Sequence, residues 1–228
     1  MKPLALITGV GPGTGSAIAR RFATAGYRTA LLARDESRLN ALADELPDAQ
    51  AIACDVTDTV ALAAAVERAG PAEVVVHNAV GGAWGTFRDI DPAVLERNFQ
   101  VNVMALLQLA RLTTPAMLAA GRGALIVTGN TAALRGKAGF AGFAPTKAAQ
   151  RILAESMARD LGPQGVHVAY LVIDAVIDLA WTRKRYADKP DGFFIKPTAI
   201  ADEVFHLATQ DRSAWSFLSE VRPYGETW

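Results

Sequence analysis

Two segments of this 228-residue chain carry residue types and spacings suited to chemistry. In the first, Thr8-Gly9-Val10-Gly11-Pro12-Gly13-Thr14-Gly15 follows a short apolar run and precedes a helical pattern. Glycines permit a tight turn and let the backbone approach a pyrophosphate, while a helix start offers free N–H groups and partial positive charge. A glycine-rich turn alone says little. A strand before it and a helix after it are the context that dinucleotide binding requires. In the second segment, Phe143-Ala144-Pro145-Thr146-Lys147, the four-residue spacing puts Phe143 and Lys147 on one helix face. A lysine ammonium becomes a usable acid when burial lowers its pKa. The Phe143 ring carries no hydroxyl and can neither give nor take a proton.

The elements that must position these segments follow from periodicity. Apolar runs predict strands at Leu4 to Thr8, Arg28 to Ala33, Gln50 to Cys54, Val74 to His77, Ala124 to Thr128, Val166 to Ile173 and Ser216 to Val221. Helical patterns lie between them. They run from about Ser16 to Ala25, through Leu39, Leu42 and Leu46 to Pro47, after Thr57 as N-cap, from the Asp91-Pro92 cap towards Ala120, from about Ala144 to Leu161, and from Thr198 to Gln210. Asp174 to Gly192 is mixed. Strands alternating with helices imply right-handed crossovers and a doubly wound parallel sheet with helices on both faces. Ligands in such sheets bind at the carboxyl ends of the strands, where every motif above falls.

Composition narrows the classes. The length suits one domain, 1–228, with a full core, and 51% of residues are hydrophobic, which argues against disorder. Equal numbers of basic and acidic residues (23 each) argue against nucleic acid as a partner, and no basic run suggests a membrane surface. The single Cys54 excludes an internal disulfide and cysteine-based zinc spacing, so no metal is expected; Cys54 itself reads as a small buried apolar residue. The opening Met1-Lys2-Pro3-Leu4 runs directly into a strand too short for a signal peptide or membrane span, and a soluble cytoplasmic protein is expected.

From Leu4 to about Ile173 the order and spacing resemble the short-chain dehydrogenase/reductase family. Gly9, Gly13 and Gly15 match its Thr-Gly-x-x-x-Gly-x-Gly loop. Asp55-Val56 resembles the pair that contacts adenine. Asn78 and Ala79 match the Asn-Asn-Ala-Gly segment ending strand four, with departures at His77 and Val80. Asn102 falls at the structural asparagine and Lys147 at the active-site lysine. The resemblance implies a single-domain Rossmann fold of about seven parallel strands, with 174–228 as the variable substrate-facing part. It implies a nicotinamide cofactor held by Thr8, Gly9, Gly11, Gly13, Thr14, Gly15, Arg34, Asp55, Val56, Asn78, Ala79 and Lys147. It also implies a homodimer or homotetramer through the two long helices.

In the family an acid at the end of strand two selects NAD. Here Ala33 is followed by Arg34, so no carboxylate repels a 2′-phosphate and a guanidinium is available to bind it. Arg38 stands one turn on, and Asp35 and Glu36 would oppose a phosphate if they faced it. NADP is preferred over NAD.

The family's tyrosine donates a proton as hydride arrives, its lysine holds the nicotinamide ribose, and a serine after strand five binds the substrate oxygen. Here Phe143 replaces the tyrosine and Asn130 the serine, with Thr131 filling the serine position under a shifted alignment. Asn130, Phe143, Lys147 and Asn102 thus form the expected catalytic set, and the chain resembles a divergent branch that carries Phe and keeps Lys. An Asn130 amide can stabilise a developing alkoxide but cannot protonate it. Losing a positioned acid costs about 10²- to 10⁴-fold in rate, which leaves positioning and electrostatics intact. His77 reads as a strand-end residue, Tyr170 as core and Tyr186 as the freer tyrosine.

Trp84, Phe140 and Phe143, with Phe87 and Trp181, predict a pocket for an apolar small-molecule substrate. The family's Pro-Gly after strand six is Asp174-Ala175 here, which alters the nicotinamide end. Two functions fit: an oxidoreductase transferring hydride to or from an apolar carbonyl, alcohol or alkene, or a degenerate relative that binds NADP(H) or a ligand without turnover.

Overall fold

Strand residues with no polar atom to satisfy must be covered on both faces, and Leu4–Thr8 (β1) and Val74–His77 (β4) are buried throughout. In the computed structural model, which describes residues 2–226, the elements in order are β1, α1 (Thr14–Thr24), β2 (Arg28–Ala33), α2 (Glu36–Asp44), β3 (Ala49–Ala53), α3 (Thr59–Ala69), β4, α4 (Pro92–Phe99) and α5 (Ala105–Ala120). Then come β5 (Gly123–Asn130), α6 (Ala144–Leu161), β6 (Val166–Ile173), β7 (Val176–Ile177), α7 (Ala180–Arg185), β8 (Phe194–Ile195), α8 (Pro197–Ala208) and β9 (Leu218–Val221). A parallel seven-stranded sheet has the order β3-β2-β1-β4-β5-β6-β9. The chain winds outward from β1 in one direction and from β4 in the other. The crevice at the carboxyl ends of β1 and β4 is therefore the switch point where such sheets bind ligands.

Alternate strand residues feed two cores. Leu4, Leu6 and Val75 pack with Leu62, Leu106 and Leu109 of α3 and α5 on one face. Ala5, Ile7, Val74 and Val76 pack with Ile18, Phe22 and Val204 of α1 and α8 on the other. Pro92–Ala120 is long and apolar enough to cross a bilayer by composition, but its α5 portion contributes buried residues to the first core.

Several boundaries differ from the sequence reading. The first helix starts at Thr14, not Ser16, directly out of the glycine turn. Asp58, not Thr57, caps α3: Thr57 donates its hydroxyl to Asp55, and Asp58 Oδ1 accepts from the N–H groups of Val60 and Ala61. The helix after Asp91-Pro92 is interrupted by a π-helical turn over Gln100–Met104. The mixed stretch after β6 forms a two-stranded ribbon of β7 and β8 with α7 between. The last helix spans Pro197–Ala208, and the last strand begins at Leu218.

Candidate active site

The glycine turn is shaped by backbone contact. Gly9 has φ +71°, and a Cβ on it would lie 2.6 Å from the Asn78 carbonyl carbon. A Cβ on Gly15 would lie 2.7 Å from Val10 Cα. β1, β4 and α1 thus meet with no room for side chains, and Gly13, Thr14 and Gly15 at the start of α1 are buried. Asn78 bolts this corner together. Its Nδ2 donates to the Gly9 carbonyl (2.9 Å), and its Oδ1 accepts from Thr128 Oγ1 on β5 (3.0 Å).

A cleft of about 890 Å³ opens beside the turn. Gly9, Gly11, Arg34, Asp55, Val56 and Ala79 line it. Thr8, Gly13, Thr14, Gly15, Asn78 and Lys147 are not on its wall: Thr8 and Gly15 are buried, Asn78 braces the turn and Gly13 lies beneath Leu179. Asp35 caps α2 by accepting from the Arg38 N–H (3.0 Å) and pairs with the Arg38 guanidinium (3.2 Å), so its charge is answered within α2. Arg34 has no ion-pair partner among the described residues. Asp55 accepts two bonds from Thr57, and these hold its pKa below the usual carboxylate range, with burial opposing and the Arg34 charge adding to the lowering.

Phe143 precedes α6 as its N-cap and is 7% exposed. Its ring packs with Ala132, Ala144 and Phe140, and lies 3.6 Å from where a Gly82 Cβ would stand. Gly82 lines the cleft and Phe143 does not; the ring neighbours that wall residue from within a small separate apolar cluster. Trp84, 68% exposed, meets Phe140 edge-on at 4.6 Å between centroids and stands 6.3 Å from Phe143. Two backbone bonds between Gly85 and the Gly139–Ala141 segment join these loops. Phe87 and Trp181 are exposed and belong to no aromatic pair among the described residues.

Lys147 is 2% exposed. Its Nζ donates to the Thr128 carbonyl (3.1 Å) and to Gln150 Oε1. Burial pulls its pKa from an ordinary 10.5 down to about 7. Asn102 is fully buried on the π turn. Its side chain accepts from the Gly81 N–H (2.9 Å) and donates to the Gly81 carbonyl (2.8 Å) and to Thr146 Oγ1 (2.8 Å). It ties the loop after β4 to α6. Asn130 ends β5 with Oδ1 accepting from the Ala132 N–H (3.1 Å), which commits its oxygen and leaves its amide N–H groups as the available donors. His77 lies buried beside Thr8, Nδ1 to Oγ1 3.2 Å, and burial together with the Lys147 charge takes its pKa to about 3.

Other residues of this region gave weaker sequence signals. Thr128, Thr146, Gln150 and Asn98 all make bonds that hold the site; Asn98 Nδ2 donates to the Gly142 carbonyl (2.7 Å). Leu179, after β7, lies over the glycine turn, its Cδ2 2.7 Å from where a Gly13 Cβ would be. Asp174, in the altered pair after β6, is 8% exposed between Arg135 (3.8 Å) and Arg222 (3.5 Å). Among the described residues no group of three or more His, Cys, Asp or Glu is placed to hold a metal.

A family model described as short chain dehydrogenase matches residues 3–185. D-erythrulose reductase of Gallus gallus is 34% identical over 165 residues, covering 72% of this chain and 67% of that protein. A short-chain dehydrogenase from Rhodopseudomonas palustris is similar in structure with TM-score 0.85 and 30% identity, over 97% of this chain and 99% of the other. A metagenomic short-chain oxidoreductase in complex with NADP gives TM-score 0.83 and 32% identity, over 97% of each chain.

Proposed function

This chain belongs to the short-chain dehydrogenase family of oxidoreductases, and from that premise we propose that it uses NADP(H) to reduce, or in reverse oxidise, an apolar carbonyl compound, alcohol or alkene without a tyrosine acid. The observation that carries the reading is the cleft wall. Gly9 and Gly11 line it without side chains and lead to Arg34, a guanidinium with no ion-pair partner among the described residues, just after β2. Those residues fit a phosphorylated dinucleotide: the glycine turn lets the backbone approach a pyrophosphate, and Arg34, with Arg38 behind it, suits a 2′-phosphate. Binding of NADP by the metagenomic relative supports the same choice. When bound, the nicotinamide supplies or accepts the hydride.

The chain's own residues do the rest. Thr128 and Asn78 fix the strand ends against the glycine turn. The Asn130 amide N–H groups stabilise negative charge growing on a substrate oxygen. Lys147, buried off the cleft wall, supplies the proton through water, and its depressed pKa suits neutral pH. Phe143, Phe140 and Trp84 form an apolar wall that selects the substrate. A small molecule is the expected partner, in a soluble homodimer or homotetramer.

One observation favours a second reading, NADP(H) binding without turnover: the Lys147 ammonium already has two acceptors inside the protein. Fluorescence titration with NADPH and NADH, followed by a screen of apolar carbonyl and enoyl compounds for loss of 340 nm absorbance, separates the two. Tighter NADPH binding with oxidation by some compounds is expected. Binding with no oxidation across the panel selects the second reading, and no binding of either cofactor overturns both.

A further inference from the structure

Gln150 is fully buried one helical turn beyond Lys147 on α6. Its amide has a donor end and an acceptor end, and the surroundings permit one orientation. Nε2 donates to the Asn102 carbonyl (2.7 Å). Oε1 must then face the other way, where it accepts from Lys147 Nζ and from the Tyr170 hydroxyl (3.3 Å). Tyr170 stands on β6, and its hydroxyl also reaches the Lys147 carbonyl (3.4 Å). It fits only because β5 carries a glycine at 129, since a Cβ there would overlap the tyrosine ring. Gly129, Gln150 and Tyr170 therefore act as one unit drawn from three elements.

This unit does for Lys147 what a counterion does for most buried lysines. Among the described residues no carboxylate lies within 4.0 Å of its ammonium. The charged and titratable groups around it are few. Tyr170 on β6 has its ring centroid 6.0 Å from Nζ, and burial raises its pKa. His77 on β4 is held neutral. Arg151 on α6 pairs with Glu155. The charged form of Lys147 thus rests on two neutral oxygens, those of Thr128 and Gln150.

We propose that Gln150, oriented by the Asn102 carbonyl and Tyr170, is the positioning residue that aims the Lys147 ammonium at the Thr128 carbonyl and sets the pH at which it gives up its proton. The inference rests on Lys147 being the proton source for its functional weight, but not for its test. Lysines labelled with ¹³C at Cε are titrated by NMR in the whole protein without cofactor, with Lys147→Met identifying the signal. Gln150→Leu removes an acceptor from the charged form, and the Lys147 midpoint falls. Gln150→Glu supplies a carboxylate at nearly the same volume, and the midpoint rises by about one pH unit or more. The Glu variant also decides the matter if the Leu variant does not fold. Equal midpoints in wild type and folded variants, or shifts in one shared direction, overturn the proposal. Where turnover is measured, the alkaline limb of kcat/KM follows these midpoints. Where no turnover is found, the NMR midpoints still decide on Gln150, and the proposed activity fails separately.

Discussion

Replacing Phe143 by tyrosine tests where the ring edge points. The ring is 7% exposed and lies against Ala132, Ala144 and Phe140, with Gly82, a residue of the cleft wall, beside it. A hydroxyl added at the Gly82 side enters the cleft and is hydrated or faces substrate. A hydroxyl forced among Ala132 and Phe140 is buried without a partner, at a cost of about 1–3 kcal/mol. The first geometry restores a general acid at the cleft, whose effect is about 10²- to 10⁴-fold in rate, or about 3–5 kcal/mol of barrier. The assay pairs NADPH oxidation with an apolar carbonyl compound and urea unfolding of the same preparations. The expected result is a gain in kcat/KM of at least 10² with stability changed by less than about 1 kcal/mol. A loss of stability above that figure with no gain in rate, cofactor still bound, refutes the placement of Phe143 at the reacting end of the cleft.

Further expectations concern the cofactor turn and pH. Arg34→Ala removes a charge-assisted contact to a 2′-phosphate and weakens NADPH binding about 10- to 100-fold while leaving NADH binding nearly unchanged, as read by fluorescence titration. Gly9→Ala places a Cβ against the Asn78 backbone at φ +71° and costs about 2 kcal/mol or more in urea unfolding, with loss of cofactor binding. Stability and rate diverge with pH. Lys147 has a lower pKa folded (about 7) than unfolded (near 10.5), so the unfolded chain binds more protons between these values, and stability rises with pH by up to about 1.4 kcal/mol per unit across that window. His77, at about 3 folded against 6.5, adds a second rise between about pH 3 and 6.5. The reductive rate falls above about pH 7 as Lys147 loses its proton, and Lys147→Met flattens the upper stability rise in denaturant unfolding measured from pH 7 to 9.

The sheet and the glycine turn were legible because each depends on local pattern: β-branched runs, glycine spacing, an Asp-Pro cap; Asn102 and Lys147 stood out only through resemblance to the family. Thr57 and Asp58 are both good caps one position apart, and only the fold shows that Asp55 engages the Thr57 hydroxyl. Nothing local marks Gln150 on its alanine-rich helix, and Tyr170 in an apolar strand reads as core. Their contact with Lys147 exists only through the pairing of β5 with β6 and the packing of α6 on them. The π turn at Gln100–Met104 leaves no compositional mark. Leu179 lies far in sequence from the turn it covers, and nothing local to it announces the contact.

In the proposed reaction Lys147, not a tyrosine, provides the proton that accompanies hydride transfer from NADPH. Single-turnover oxidation of enzyme-bound NADPH by an apolar carbonyl compound, followed at 340 nm in wild type and Lys147→Met, tests it most directly. Turnover by the wild type and a loss of at least about 10² in the variant, with NADPH still bound, are expected. Equal rates in the two proteins, or bound NADPH that no compound oxidises, contradict it.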